Sequence, residues 1–365
     1  MSGLTLEKLS ACGEDRRGAV LHEVDLTVAD GEVLTVVGPS GSGKSTLLRA
    51  LVGLADVPQG RLLLDGEEAT DWAPAERDMA MVFQDHAPYP HLRVRDNLAL
   101  PLRLAGLPGA EIAGRVREVA DRLGLGVHLD RWPRQLSGGQ RQRVALGRVL
   151  VRAAPAAYLL DEPLSADPAV HAGLRAMIAG TTTVWATPDP AEAVAVGDRI
   201  AVLRDGRLAQ VGTARELAER PSTLWVAAMA PLNVLRGTIG DGQLRLPMAS
   251  LPLAGRPPGD VLVGIRPADL TEPDTDSGSD AGPGADSGSG SGSGGVRVPM
   301  LVAAGVGPDG TATLRHPALA RAAEEDPALS PTLRARVDPG GRRSVPVLLD
   351  PARMLLFDPE TGAAL

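Results

Sequence analysis

The chain is 365 residues long and 44% hydrophobic, enough to bury a core in each of two domains. A formal net charge of −8 excludes nucleic acid as the main partner, because phosphate backbones reward clustered cations, and it disfavours an anionic lipid surface. No run of about 20 apolar residues is present to cross a bilayer, Met1 to Thr5 lacks the pattern of a signal peptide, and Cys12 alone cannot form an intrachain disulfide, so a cytosolic protein is expected.

Residues 1–230 alternate strand-like and helix-like segments, the pattern of an α/β domain with a largely parallel sheet. Val33 to Val37 is predicted as a buried strand, and Thr46 to Leu54 as a helix. Between them, Gly38-Pro39-Ser40-Gly41-Ser42-Gly43-Lys44-Ser45 matches the phosphate-binding pattern G-x-x-x-x-G-K-[ST] in the strand–loop–helix context that its chemistry requires. Glycines let backbone N–H groups turn inward around phosphate oxygens, and the helix N-terminus adds positive potential. Lys44 is then expected on the β and γ phosphates of ATP, the Ser45 hydroxyl on Mg²⁺, and Thr46 at the rim of the same site. Lys8 and Lys44 are the only lysines in a chain whose other cations are arginines, which singles out the one inside the glycine-rich loop.

Val82-Phe83 is predicted as a further strand, and Val94 to Leu125 carries apolar residues at helical spacing, marking an inserted helical subdomain at about 90–135. Leu136-Ser137-Gly138-Gly139-Gln140 precedes another helical pattern; its hydroxyl, glycine amides and helix N-terminus form a second anion site. If the two anion sites lie far apart in one chain, ATP is shared between two subunits. Tyr158 to Leu160 reads as a buried strand whose end delivers Asp161 to water-bridged Mg²⁺ and Glu162 to the attacking water. Thr182 to Ala186 is one more strand. From about residue 231 to 365 the texture is that of a small all-β domain, with strands at Val234 to Gly237, Val261 to Ile265 and Val347 to Leu349. Thr271 to Gly295, rich in Gly, Ser and Asp, is expected to be a disordered insertion in it.

Together these motifs resemble the ATP-binding subunits of ABC transporters, in particular those serving carbohydrate and similar importers. Gly38–Ser45 is similar to the family's Walker A motif, Leu136–Gln140 to its signature, and Asp161–Glu162 to the end of Walker B. Val82-Phe83-Gln84 with Tyr89-Pro90-His91-Leu92 resembles the Q-loop, which implies that Gln84 touches Mg²⁺ and the attacking water. Gly264-Ile265-Arg266-Pro267 and Phe357 to Gly362 resemble signposts of the OB-like regulatory domain of these subunits. The resemblance implies Mg·ATP hydrolysis in a dimer at the cytoplasmic face of the membrane. Transmembrane permease subunits would be docked on Val94 to Leu125 and the Q-loop, with an extracytoplasmic solute-binding protein served indirectly. It also implies solute uptake, with sugars as the first candidate.

Three positions depart from the family pattern. Where it has a histidine at a strand end, this chain has Pro188, within Thr187-Pro188-Asp189-Pro190. Pro163 to Asp167 is one residue short of the usual D-loop, and Cys12 stands where an adenine-stacking aromatic is expected. These imply impaired hydrolysis in the chain's own site, while the signature it offers a partner is intact. The alternative reading is a non-catalytic or weakly catalytic regulatory or partner subunit in a heterodimer with a different ATPase.

Overall fold

The computed structural model describes residues 3–13, 18–84, 88–152, 155–163, 168–270, 296–304, 312–316, 319, 322, 329–330, 332–335 and 344–365. They divide into two compact units, Met1–Glu219 and Arg220–Leu365.

In the first unit, β1 (Leu4–Cys12) and β2 (Ala19–Val28) lead to β3 (Val33–Val37) and helix α1 (Lys44–Val52). There follow β4 (Gln59–Leu64), β5 (Glu67–Glu68) and β6 (Met79–Val82), then α2 (Val94–Leu104), α3 (Gly109–Arg122) and α4 (Gly138–Leu150). The unit is completed by β7 (Ala157–Asp161), α5 (Pro168–Ile178), β8 (Thr183–Thr187), α6 (Pro190–Val196), β9 (Arg199–Arg204), β10 (Arg207–Gly212) and α7 (Ala214–Glu219). One sheet, in the order β10-β9-β3-β8-β7-β6, is parallel except for the β9–β10 hairpin. Its turn, Asp205-Gly206, has positive φ at both residues, as a tight two-residue hairpin demands. Strands β3, β7 and β8 are buried along their whole length, which is why they read as continuous β-branched and apolar runs.

A second, antiparallel sheet in the order β2-β1-β4-β5 was not legible as such in the sequence. Its Leu9, Leu21, Val24 and Leu62 join Leu47 and Leu51 of α1 and Leu34 of β3 in one core. The predicted helix after the phosphate loop begins at Lys44, ahead of Thr46, because Gly43 at φ 103° turns the chain directly into its first turn. The strand read at Val82-Phe83 is Met79–Val82, with Phe83 just past its end and 45% exposed. The expected helical insertion is present as α2 and α3, packed on α4 through Leu98, Leu102, Val116, Val119 and Val144. Gly147 of α4 makes this crossing tight, since a Cβ there would meet Leu98 Cδ2 at 2.6 Å.

The second unit opens with α8 (Leu224–Ala227) and is otherwise built of strands. These are β11 (Asn233–Gly240), β12 (Gln243–Leu246), β13 (Ala249–Pro252), β14 (Gly259–Ile265), β15 (Val296–Ala304), β16 (Ala312–Arg315), β17 (Thr332–Ala335), β18 (Ser344–Leu349) and β19 (Leu355–Phe357). Two antiparallel sheets, β13-β12-β11-β14-β19 and β17-β16-β15-β18, share a core that includes Leu235, Val263, Met300, Leu314 and Val347. The unit starts before residue 231 because the chain's end returns to that segment. Leu224 donates its N–H to the Gly362 carbonyl at 2.8 Å, and Ala364 to the Ser222 carbonyl at 3.0 Å. The expected insertion at 271–295 lies outside the described residues.

Candidate active site

The site is assembled where parallel strands end. β3 runs into the loop Gly38–Ser45, and its neighbour β8 places Thr187 beside Val37 and Ala186 beside Asp161. β7, next in the sheet, ends on Asp161 and hands the chain to Glu162. Val82 of β6 pairs with Leu160, so Gln84 emerges at the same end of the sheet, two residues further on and exposed. The topology therefore brings the phosphate loop, Asp161, Glu162, Gln84 and the β8 end together.

The loop is held from beneath. Gly38 has no room for a side chain, because a Cβ would sit 2.2 Å from the Leu203 carbonyl oxygen and 2.5 Å from Ser42 Oγ. Gly43 combines its positive φ with walls formed by Leu21 and Leu203. Gly206, in the β9–β10 turn, donates its N–H to the Ser42 carbonyl at 3.1 Å. Sequence reasoning missed Leu203 and Gly206 as supports of the loop, since nothing local in them points to phosphate. Among the described residues, buried Ser42 Oγ has no hydrogen-bond partner. An unsatisfied hydroxyl inside a nest of glycines fits a polyanionic ligand. Pro39, Ser40 and Gly41 form the loop's outer turn, and Ser45 and Thr46 lie half-buried in the first turn of α1.

Lys44 is 6% exposed, and its ammonium donates to the carbonyls of Gly38 at 2.8 Å and Pro39 at 3.0 Å. Burial pushes its pKa below the ordinary value, against the pull of Glu162 and then Asp161. Asp161 is 1% exposed. Glu162 takes a left-handed backbone, φ 47°, donating its N–H to the Ala186 carbonyl at 3.0 Å. Such a conformation is costly for a side chain other than glycine, and strain of this kind gathers at functional positions. Its own carbonyl accepts from Gln142 Nε2 of α4 at 3.4 Å. Among the described residues no group of three or more His, Cys, Asp or Glu could hold a metal ion. The donor set, a Ser45 hydroxyl in the first turn of α1 and the buried Asp161 carboxylate at the end of β7, has the hard oxygen chemistry that Mg²⁺ completed by phosphate oxygens would take.

Ser137, Gly138, Gly139 and Gln140 open α4 as a closed capping box. Ser137 Oγ accepts from the Gln140 N–H at 3.3 Å, and Gln140 Oε1 accepts from the Ser137 N–H at 2.9 Å. Gln140 Nε2 lies 3.1 Å from His128 Nε2. Among the described residues no hydrogen bond joins this segment to Gly38–Ser45.

The β8 end carries exposed Pro188 in the turn before α6. Cys12 is half-buried at the end of β1 and pairs with Ala19, next to the Val20 and Leu21 that wall the loop. The shortened segment before Asp167 lies outside the described residues. Behind Pro188 sits a group that sequence reasoning left unconnected. His171 of α5 comes within 3.4 Å of Glu192 of α6, far from it in sequence and both buried. No helix of the described residues is long and apolar enough to cross a membrane.

Residues 21–165 match the family model described as ABC transporter. The trehalose import ATP-binding protein SugC of Mycobacterium tuberculosis is 44% identical over 291 residues, covering 74% of each chain. The sn-glycerol-3-phosphate import ATP-binding protein UgpC of Paracoccus denitrificans is 45% identical over 262 residues, 69% of this chain and 74% of that one. The diacetylchitobiose uptake system ATP-binding protein MsiK of Streptomyces coelicolor is 42% identical over 285 residues, 73% and 75% of the two chains. Among solved structures, the dimeric ATP-binding cassette MJ0796 bound to ADP and Pi superposes with a TM-score of 0.53 at 30% identity, covering 57% of this chain and 98% of that one. The phosphate loop, the Asp161–Glu162 strand end and these relatives agree: the chain belongs to the ATP-binding subunits of ABC transporters, the ATPases whose hydrolysis is coupled to transport.

Proposed function

We propose that this chain binds Mg·ATP in a dimer and powers uptake of a solute, a sugar or a sugar-like molecule, through transmembrane permease subunits. The observation that carries the reading is the Gly38–Ser45 loop. A buried lysine sits there under the influence of Glu162 and Asp161, at the end of the strands that supply both acids. When bound, Mg²⁺ would be held by Ser45 and Asp161, with Gln84 beside it, and would neutralise charge on the phosphate oxygens. Lys44 then leaves the Gly38 and Pro39 carbonyls for phosphate, and the loop amides hold the transferring group in line. Glu162 orients and deprotonates the attacking water. The anion site at Ser137–Gln140 is offered to the partner's nucleotide.

Docking of the permease is assigned to the helical subdomain. A cavity of about 380 Å³ between α2 and α3 is lined by Ala99, Ile112 and Val116 together with Arg95, Arg103 and Arg117, of which Arg95 pairs with Asp130 and Arg103 with Asp96. Such a groove suits an amphipathic segment. Trehalose and diacetylchitobiose, in the names of SugC and MsiK, support a sugar as cargo, and attachment to the membrane is then peripheral, at its cytoplasmic face. The all-β second unit is proposed as the OB-like regulatory domain.

Hydrolysis in the chain's own site is proposed to be slow, because Pro188 brings neither a ring nitrogen nor an N–H to the γ-phosphate. By analogy with loss of one preorganised stabilising group, the deficit is on the order of 10²–10³ in rate. Pro188→His is therefore expected to raise steady-state hydrolysis by at least about tenfold without changing ATP affinity. An unchanged rate would remove the claim of impairment. The intact capping box at Ser137 favours one second reading, a heterodimer in which this chain completes a different subunit's site. Copurification of a second, non-identical ATPase with the assembled transporter supports it, and a homodimer alone refutes it.

A further inference from the structure

The carboxylate of Glu192, in the first turn of α6, is 9% exposed and both of its oxygens are engaged. Oε1 accepts from Trp185 Nε1 at 3.1 Å and lies 3.4 Å from His171 Nε2. Oε2 accepts from the Thr187 hydroxyl. His171 is itself 9% exposed at its side chain and stands edge-on to Trp185, with ring centroids 6.1 Å apart and planes at 87°. A buried carboxylate is costly unless its lone pairs are filled and its charge is matched, so a site for one is retained where geometry is worth more than packing.

The geometry in question is that of the β8 end. Thr187 Oγ1, besides donating to Glu192, accepts the Asp189 N–H at 3.1 Å, which closes the turn that contains Pro188. Thr187 pairs with Val37, the last residue before the phosphate loop, and its neighbour Ala186 accepts the Glu162 N–H at 3.0 Å. One hydroxyl thus ties a buried acid to the strand end that the phosphate loop and Glu162 both border. Asp189, past Pro188, accepts the Ala191 N–H on its Oδ1 at 2.9 Å and so caps α6.

We infer that Glu192 and His171 are positioning residues for ATP hydrolysis. The pair locks Thr187 and the turn after it, and through Ala186 it holds Glu162 in its left-handed conformation. His171 Nε2 faces the Glu192 carboxylate, so a polar side chain of similar reach, such as arginine, is expected to serve at 171 and an apolar one is not. The inference rests on the assignment of Glu162 to the attacking water.

The test is steady-state Mg·ATP hydrolysis by the purified full-length chain, with kcat and KM separated. Fluorescence of a trinitrophenyl-ATP probe reports nucleotide binding, and thermal melting reports folding. Glu192→Gln and His171→Leu are expected to lower kcat about tenfold or more with KM for ATP within about twofold, and His171→Arg to retain kcat within about threefold. Thr187→Val, which removes only the hydroxyl link, is expected to behave like Glu192→Gln and stands in for any variant that fails to fold. Wild-type kcat in His171→Leu would assign the histidine to packing against Trp185, and wild-type kcat in Thr187→Val would sever the proposed link; either overturns the inference alone. Absence of any Lys44-dependent hydrolysis in the unaltered chain would overturn the ATPase assignment along with it.

Discussion

A methyl group at position 38 would lie 2.2 Å from the Leu203 carbonyl oxygen, which is backbone and cannot step aside as a flexible side chain could. Gly38→Ala must therefore displace either the loop or β9, at a cost of about 1–3 kcal/mol for overpacking. The expected outcome is a lower urea midpoint together with weaker binding of trinitrophenyl-ATP. A variant that loses binding at unchanged stability would place the strain in the loop alone. The motif at Gly38–Ser45 was legible because its spacing follows from phosphate geometry. What presses on it was not legible, because Leu203, Gly206 and Leu21 approach it from distant parts of the chain. The same holds for His171 and Glu192, which are ordinary residues until α5 and α6 are folded against β8.

Helix α1, which presents Lys44 and Ser45 at its N-terminus, is secured at its other end by Arg77. That guanidinium is 4% exposed and donates to the carbonyls of Ala50 at 2.7 Å, Leu51 at 2.8 Å, Thr70 at 2.6 Å and Trp72 at 3.1 Å. Gly53, at φ 86°, closes the helix, with Gly53 N–H to the Ala50 carbonyl at 3.3 Å and Leu54 N–H to the Arg49 carbonyl at 2.8 Å. Arg77→Ala strands several buried carbonyls, each costing about 1–3 kcal/mol, so a loss of at least about 3 kcal/mol in urea unfolding is expected. Arg77→Lys should recover little of it, because a single ammonium cannot span acceptors on two segments. A loss under 1 kcal/mol in Arg77→Ala would show that water replaces the guanidinium. Elements of this unit were readable where burial is complete, as in β3, β7 and β8. β1 and β2 were not, because Lys8 and Glu23 take positive φ, and the β1–β2 register shifts between Leu6 and Leu9 and again beyond it. Such bulges break the period-2 alternation on which strand reading depends.

At the scale of the whole chain, the sequence disclosed an α/β ATPase unit followed by an all-β unit. It did not disclose the partition between them, since Arg220 to Ala230 belongs to the second unit, to which hydrogen bonds returned by the C-terminal segment tie it. The first unit holds one phosphate loop and one signature segment with no hydrogen bond between them among the described residues, and the proposed function assigns them to two different nucleotide sites. The proposed function requires a second copy or an equivalent chain for catalysis, with ATP as the element shared between them. Sedimentation velocity of the hydrolysis-blocked Glu162→Gln variant, with and without saturating Mg·ATP, measures this directly. The expected result is a monomer without nucleotide, a dimer with Mg·ATP, and a monomer throughout when Lys44→Ala is added. A chain that stays monomeric with Mg·ATP bound, or that dimerises equally without it, would contradict the account.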